Sequence, residues 1–311
     1  MHGIHHITAI AGAPRQNRAF YVDTLGLRMV KKTVNFDDPG TYHFYYGDEA
    51  GSPGTILTFF PWEHAASGNN GLGLADMTML RVPAASLSFW AHRFARMGVA
   101  HEPPVLRFGE SLLAFRDGDG MSLALVGVAG AQNDPGWAGG GVAAEHAIRG
   151  VHGIGLWRAA EATSAVLTDV LGFKQDAREG DYVRYRAEAG IGGVVVMRAA
   201  GTTAAGRMGR GSVHHVAFRA RDDAEQAAMA KKLVAGYGLH PTGQKDRQYF
   251  RSIYFHEPGG VLFEIATEQP GFAVDEPLAA LGTTLKLPPF LEPRRHELER
   301  ILAPLANGAG R

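Results

Sequence analysis

Residues 4–10, IHHITAI, and residues 213–218, VHHVAF, decide how this chain is read. Each is a short apolar strand whose second and third residues are histidines, and each opens the same series of elements. After IHHITAI comes a helical stretch, RAFYVDTLGL, with Phe20, Tyr21 and Leu25 at helical spacing, then the strand-like TYHFYYGD and GTILTFF. VHGIGLW at 151–157 restates the theme closely: SAVLTDVLGF follows, its Leu171, Gly172 and Phe173 matching Leu25, Gly26 and Leu27, and YVRYRAE and GVVVMRA close the copy. Two further copies run from Met77 through SLSFWAHRFARMGV to MSLALVGV, and from Val213 through EQAAMAKKLVAGYGL to VLFEIAT. Four βαβββ modules beginning near Ile4, Met77, Val151 and Val213 give an α+β chain.

Between the second and third modules lies AGAQNDPGWAGGGVAAEH, rich in Gly and Ala and without periodicity, which reads as a linker. The expected division is a domain at 1–137 made of modules one and two, a linker at 138–147, a domain at 148–270 made of modules three and four, and a tail at 271–311. The tail reads as a loop, a Pro-rich extended piece and one short helix, which either packs on the body or covers a site.

Composition narrows the partners. Lys plus Arg and Asp plus Glu are 31 each, so no one-signed field favours nucleic acid or an anionic membrane. No run approaches the roughly 20 apolar residues of a membrane span, and the start lacks a secretory pattern, so a cytoplasmic protein with a small-molecule partner is expected. The absence of cysteine restricts any metal to N and O ligands.

Aligned on their first strands, the modules place His5, His152 and His214 in one column and His6, Gly153 and His215 in the next, with Asp76 offered by the second module. Aligned on their last strands, they place Thr58, Ala124, Met197 and Glu264 together. Only modules one and four keep strong ligands, His6, His215 and Glu264. Two histidines and a carboxylate on one face leave coordination positions for substrate and dioxygen on Fe(II), and the same set accepts Mn(II) or Zn(II). Glu264 stands in the apolar strand VLFEIA, where an uncompensated carboxylate would cost several kcal/mol. Because successive strand residues face opposite sides, His5 and His214 point with their neighbours only if the strand bulges. The plain alternative for each His-His pair is one core histidine beside one solvated one. His152 reads as degenerate core, and His2, His43, His64 and His256 as surface or local structure.

HHITAI, VHHVAF and LFEIAT within four such modules resemble the vicinal-oxygen-chelate superfamily of glyoxalases, bleomycin-resistance proteins and extradiol dioxygenases. TVNFDDPGTYHFYYGDEAGSPGTILTFFPW and RQYFRSIYFHEPGGVLFEIATEQPGFAVDE resemble its branch that opens para-hydroquinone rings. The resemblance implies open, strongly curved mixed sheets, Fe(II) on His6, His215 and Glu264, and Thr8, His214, Arg247 and Tyr254 around an aromatic substrate and dioxygen, with His5 a further second-sphere candidate. Edge contacts between such modules leave room for a homo-oligomer. Thr8 lies on the face of His6; a hairpin turn at HEPGG sets Tyr254 opposite Leu262 and diagonal to Glu264, where a phenol can reach a metal-bound group and Arg247 can stabilise an oxyanion. His214 reads as an acid-base group or as a prop for its neighbour. The competing functions are a glyoxalase-type isomerase or lyase, which a second carboxylate would favour and Thr58, Ala124 and Met197 do not supply, and a ligand-sequestering protein without metal.

Overall fold

The computed structural model describes residues 2–305. Each module has the expected order. The first comprises β1 (Ile4–Ala11), α1 (Pro14–Arg18, continuing as a π-turn through Ala19–Thr24), β2 (Arg28–Asn35), β3 (Asp38–Gly47) and β4 (Ile56–Pro61). The second comprises β5 (Ala75–Pro83), α2 (Leu87–Met97), β6 (Val105–Arg107), β7 (Glu110–Arg116) and β8 (Ser122–Val128). The third comprises β9 (Val151–Arg158), α3 (Ala162–Ala165, continuing as a π-turn through Val166–Val170), β10 (Lys174–Glu179), β11 (Tyr182–Arg186) and β12 (Val194–Ala199). The fourth comprises β13 (Ser212–Ala220), α4 (Asp223–Tyr237), β14 (Lys245–Asp246), β15 (Arg251–His256) and β16 (Leu262–Thr267).

Local chemistry sets the helix ends. Asp222 caps α4 by accepting from the Glu225 N–H at 2.9 Å, while the Glu225 carboxylate accepts from the Arg221 N–H. This reciprocal cap satisfies donors that the first turn leaves free. Gly238 then ends α4 in the left-handed region, φ 62°, where a side chain would be strained. The matching Leu-Gly pairs do the same work after the π-turns, with Gly26 at φ 72° and Gly172 at φ 74°.

Strand pairing corrects the expected domain division. One eight-stranded sheet runs β14-β15-β16-β13-β1-β4-β3-β2 and the other β10-β11-β12-β9-β5-β8-β7-β6. Module one therefore shares a sheet with module four, and module two with module three, rather than each with its neighbour in sequence. The joints are antiparallel pairs of first strands, β1 with β13 and β5 with β9. A single apolar core draws Ile7, Phe59, Leu80, Phe94, Ile154, Val195, Phe218 and Ile265 from all four modules, so the 1–137 and 148–270 segments have no separate cores. The stretch at 138–147 is packed rather than free: Val142 is buried, and Arg93 donates to the carbonyls of Thr24, Asp23 and Gly140.

The tail wraps the first module. Leu287, Leu291, Leu298 and Leu302 bury against Val34, and α5 (Arg295–Ile301) is the expected short helix. Lys31, fully buried on β2, donates to Asp275 at 2.5 Å and Glu276 at 2.6 Å. Phe272 and Leu281 pack beside Tyr45, Tyr249 and Phe250, which back the cleft of the first sheet.

Candidate metal centre

Where β1 meets β13, His6 stands opposite Ala217 and Thr8 opposite His215, and the register shifts at His5 on one strand and at His214 on the other. Each shift is a β-bulge, which re-aims the inserted side chain. The condition for His5 and His214 to lie beside their neighbours is thus met. β16 runs parallel to β13 and brings Glu264 level with Ala217. The ligand atoms converge: His215 Nε2 to Glu264 Oε2 is 3.0 Å, His6 Nε2 to Glu264 Oε2 is 3.5 Å, and the two Nε2 atoms are 3.4 Å apart. All three residues are buried, and theirs is the one group of three such ligands found among the described residues.

These separations suit one ion. Metal bonds of about 2.0–2.2 Å at angles between a right angle and the tetrahedral value put ligand atoms about 3.0–3.5 Å apart. The supporting bonds orient the same atoms inward. Ser252 Oγ donates to Glu264 Oε1 at 2.5 Å, while Glu264 Oε2, with no exposure, has no hydrogen-bond partner. His6 Nδ1 lies 2.9 Å from His5 Nδ1, and His215 Nδ1 2.8 Å from His214 Nδ1. With His6 and His215 protonated at Nδ1, both bonds are satisfied and both Nε2 lone pairs face Oε2. Burial alone would push Glu264 up, but charged His6 and His215 rings beside it would hold it well below the usual carboxylate range. Burial meanwhile lowers His215, which favours its neutral ring and takes away its part of that charge. A cation in the centre resolves the conflict, so the residues fit a divalent metal.

The cleft in front of these atoms is a cavity of about 310 Å³. His214, Arg247 and Tyr254 line it as expected. Tyr254 sits directly opposite Glu264, and His256 takes the place opposite Leu262, so the hairpin turn is centred one residue further along than a turn at HEPGG and each partner moves by two residues. The two-residue shift preserves the face. Arg247 Nε donates to Tyr254 Oη at 3.1 Å, and its Nη2 to Asp37 at 2.9 Å. Burial would lower Arg247, but the Tyr254 and Asp37 oxygens outweigh it and raise it. Burial and then Glu264 push Tyr254 up, keeping a neutral phenol. Burial and then His215 pull His214 down to about 3, which makes it a neutral imidazole at physiological pH rather than a charged acid.

Thr8, expected in the pocket lining, is instead fully buried behind the cleft wall, as is His5. His5 lies behind His6, its ring 5.1 Å from Phe250. Thr8 accepts from Thr58 Oγ1 at 2.8 Å; Thr58 lies 2.8 Å from His43 Nε2, and His43 Nδ1 lies 2.9 Å from Tyr45 Oη. His43, read from sequence as surface or local structure, is instead a cleft-wall residue linking Tyr45 to Thr58. Ser252, Asp37, Tyr45 and Phe250 were also not read from the sequence. Ser252 follows from the hairpin register, two residues before Tyr254 on the same face, whereas Asp37 meets Arg247 from a turn 210 residues away and gives no local signal.

The other sheet repeats the plan without ligands. The first strands shift register at Asp76 and His152, the counterparts of His5 and His214. His152, read as degenerate core, is buried but also borders this second cleft, where it lies 3.5 Å from Glu110. Met197, set beside Glu264 in the sequence alignment, points into the core, and Val196 lines the cleft in its stead.

Comparison with known proteins agrees with this architecture. The model of the glyoxalase/bleomycin resistance protein/dioxygenase superfamily matches residues 3–125 and 158–265. The MhqO protein of Bacillus subtilis, assigned by name as a ring-cleaving dioxygenase, is 43% identical over 97% of this chain and 96% of its own. The chlorohydroquinone/hydroquinone 1,2-dioxygenase of Sphingobium indicum is 35% identical over 96% of this chain and 95% of its own. A crystal structure from Bacillus subtilis, also assigned as a dioxygenase, superposes with a TM-score of 0.93 at 43% identity, covering 98% of this chain and 97% of that one. With four βαβββ modules, paired histidine strands and these full-length likenesses, the chain belongs to the glyoxalase/bleomycin resistance protein/dioxygenase superfamily.

Proposed function

We propose that this protein is a ring-cleaving dioxygenase that opens para-hydroquinones, with Fe(II) held by His6, His215 and Glu264. The observation that carries the reading is the convergence of three buried ligand atoms, one an orphaned carboxylate oxygen, at the floor of an aromatic-walled cleft. Full-length likeness to a protein named for hydroquinone cleavage supplies the substrate class.

When bound, Fe(II) supplies one-electron chemistry between an electron-rich ring and dioxygen, which Zn(II) cannot. The chain's own residues do the rest. Phe60, Trp62 and Phe250 give flat apolar walls for a single ring and exclude water. Arg247, pinned by Asp37, favours an ionised ring hydroxyl near Tyr254. Because Tyr254 Oη accepts from Arg247, its own hydrogen is free to donate to a substrate oxygen. With His214 Nδ1 accepting from His215, the Nε2–H of His214 is a second neutral donor. Thr58, at the position equivalent to Glu264, is engaged with Thr8 and His43 and offers no fourth anionic ligand, which supports the oxygenase over the isomerase.

Among the described residues no helix is long and apolar enough to cross a membrane, and a cytoplasmic setting is part of the proposal. Oxygen uptake with a panel of para-hydroquinones tests the reaction: the Fe(II) form should consume dioxygen and yield a ring-opened acid, and the Zn(II) form should not. Equal turnover of the zinc form, or loss of hydroquinone without oxygen uptake, would transfer the assignment to an isomerase or lyase.

A further inference from the structure

The second sheet builds a cleft of its own, about 360 Å³, in the corresponding place. The repeat shows why it is not a second metal centre. Met77, Gly153, Ala124 and Val196 stand where ligands would be needed, and a Cβ at Gly153 would run into the Val194 carbonyl. Glu110 is committed to His152, Arg184 and Arg186; burial would raise it, but the His152 hydrogen bond and the two guanidinium groups bring it to about 2.

What remains is unusual for an abandoned site. Met77, Met79, Val126, Val194 and Val196 form an apolar floor. Above it stand Arg107, Arg116 and Arg198, none of which, among the described residues, forms an ion pair. Arg107 instead lies 3.7 Å over the Tyr182 ring and Arg198 5.0 Å over Trp157, so aromatic faces hold both guanidinium groups in place. Besides the committed Glu110, Asp76 is the one carboxylate in the lining, and burial pushes it up against the opposing pull of Arg198, Arg107 and Arg116. Trp157 Nε1, a donor only, is buried without a partner.

We propose that this second cleft is a metal-free binding site for a small organic anion, an apolar or aromatic body bearing one carboxylate, which Arg107, Arg198 and Arg116 hold over the Met-Val floor. A guanidinium presents paired donors matched to a carboxylate. Arg116 already donates through Nη1 to the Gly120 carbonyl and Ser122 Oγ, but its charge, with those of Arg107 and Arg198, still faces only Asp76 and leaves an unmet demand for negative charge. The floor and the Trp157 and Tyr182 faces select an organic body over an inorganic ion.

Calorimetry on the intact, metal-loaded protein kept anaerobic tests this with benzoate, its neutral isostere benzamide and inorganic phosphate. Benzoate should bind saturably at one site per chain. Benzamide and phosphate should each bind at least tenfold more weakly. Saturating hydroquinone, which occupies the other cleft, should leave benzoate affinity unchanged. The double variant Arg107→Gln/Arg198→Gln should lose at least tenfold in benzoate affinity with iron content intact. Absence of saturable binding, equal binding of benzamide or phosphate, displacement by hydroquinone, or unchanged affinity in the folded double variant would each overturn the proposal; should that variant fail to fold, the three-ligand comparison on the native protein decides.

Discussion

Ser252→Ala is the most revealing perturbation of the proposed metal centre, because Ser252 lies outside the three-ligand group and does not line the cleft. Its hydroxyl donates to Glu264 Oε1 at 2.5 Å in a place where both residues are fully buried, so no water can replace it. The variant leaves one carboxylate oxygen orphaned and the group free to rotate away from the two imidazoles. A hydrogen bond to a charged, buried acceptor is worth roughly 1.5–3 kcal/mol. Losing a bond of this kind, one shell out from a metal, weakens affinity about 10- to 100-fold. Competition against a chelator under anaerobic conditions measures the dissociation constant, and circular dichroism confirms that the variant is folded. An affinity within twofold of wild type would refute the claim that Ser252 aims Glu264.

Three further outcomes are expected. Tyr254→Phe and Arg247→Ala should keep their metal but lose roughly tenfold or more in rate, as positioned donors and charge-stabilising groups do; wild-type turnover would make both structural. In the metal-free protein His214 is held near 3 against about 6.5 unfolded, so below pH 6.5 the unfolded chain binds more protons. Stability should therefore fall with falling pH, by at most about 1.4 kcal/mol per pH unit from this group, and thermal melts at pH 7.5, 6.5 and 5.5 should show it; a midpoint that does not move would contradict it. Lys31→Ala leaves Asp275 and Glu276 facing a buried hole and should cost about 3–5 kcal/mol, read by denaturant titration, whereas an unchanged midpoint would remove Lys31 as the anchor of the tail.

The convergence of His6, His215 and Glu264 is legible because each member carries its own signal: paired histidines in equivalent strands, and a carboxylate in a strand otherwise too apolar to hold one. The order of elements was legible too, since helix and strand periods and the Leu-Gly stops are local. Module pairing was not. Strand partners are chosen by long-range packing, and contiguity suggested one with two where β1 in fact pairs with β13. The triad itself, split between modules one and four, already required that joint. Met197 was misplaced for a different reason: alignment by strand ends carries an uncertainty of one residue, and one residue exchanges the core face for the cleft face. Asp37 and His43 were invisible because their roles depend on the tertiary meeting of a turn and a strand with groups from other parts of the chain.

Iron content per chain, measured after anaerobic loading and removal of excess metal, tests the central claim most directly when wild type is compared with Glu264→Ala. One iron per wild-type chain and almost none in a folded Glu264→Ala protein is the result that a centre of His6, His215 and Glu264 predicts; near-stoichiometric iron in the variant would contradict it.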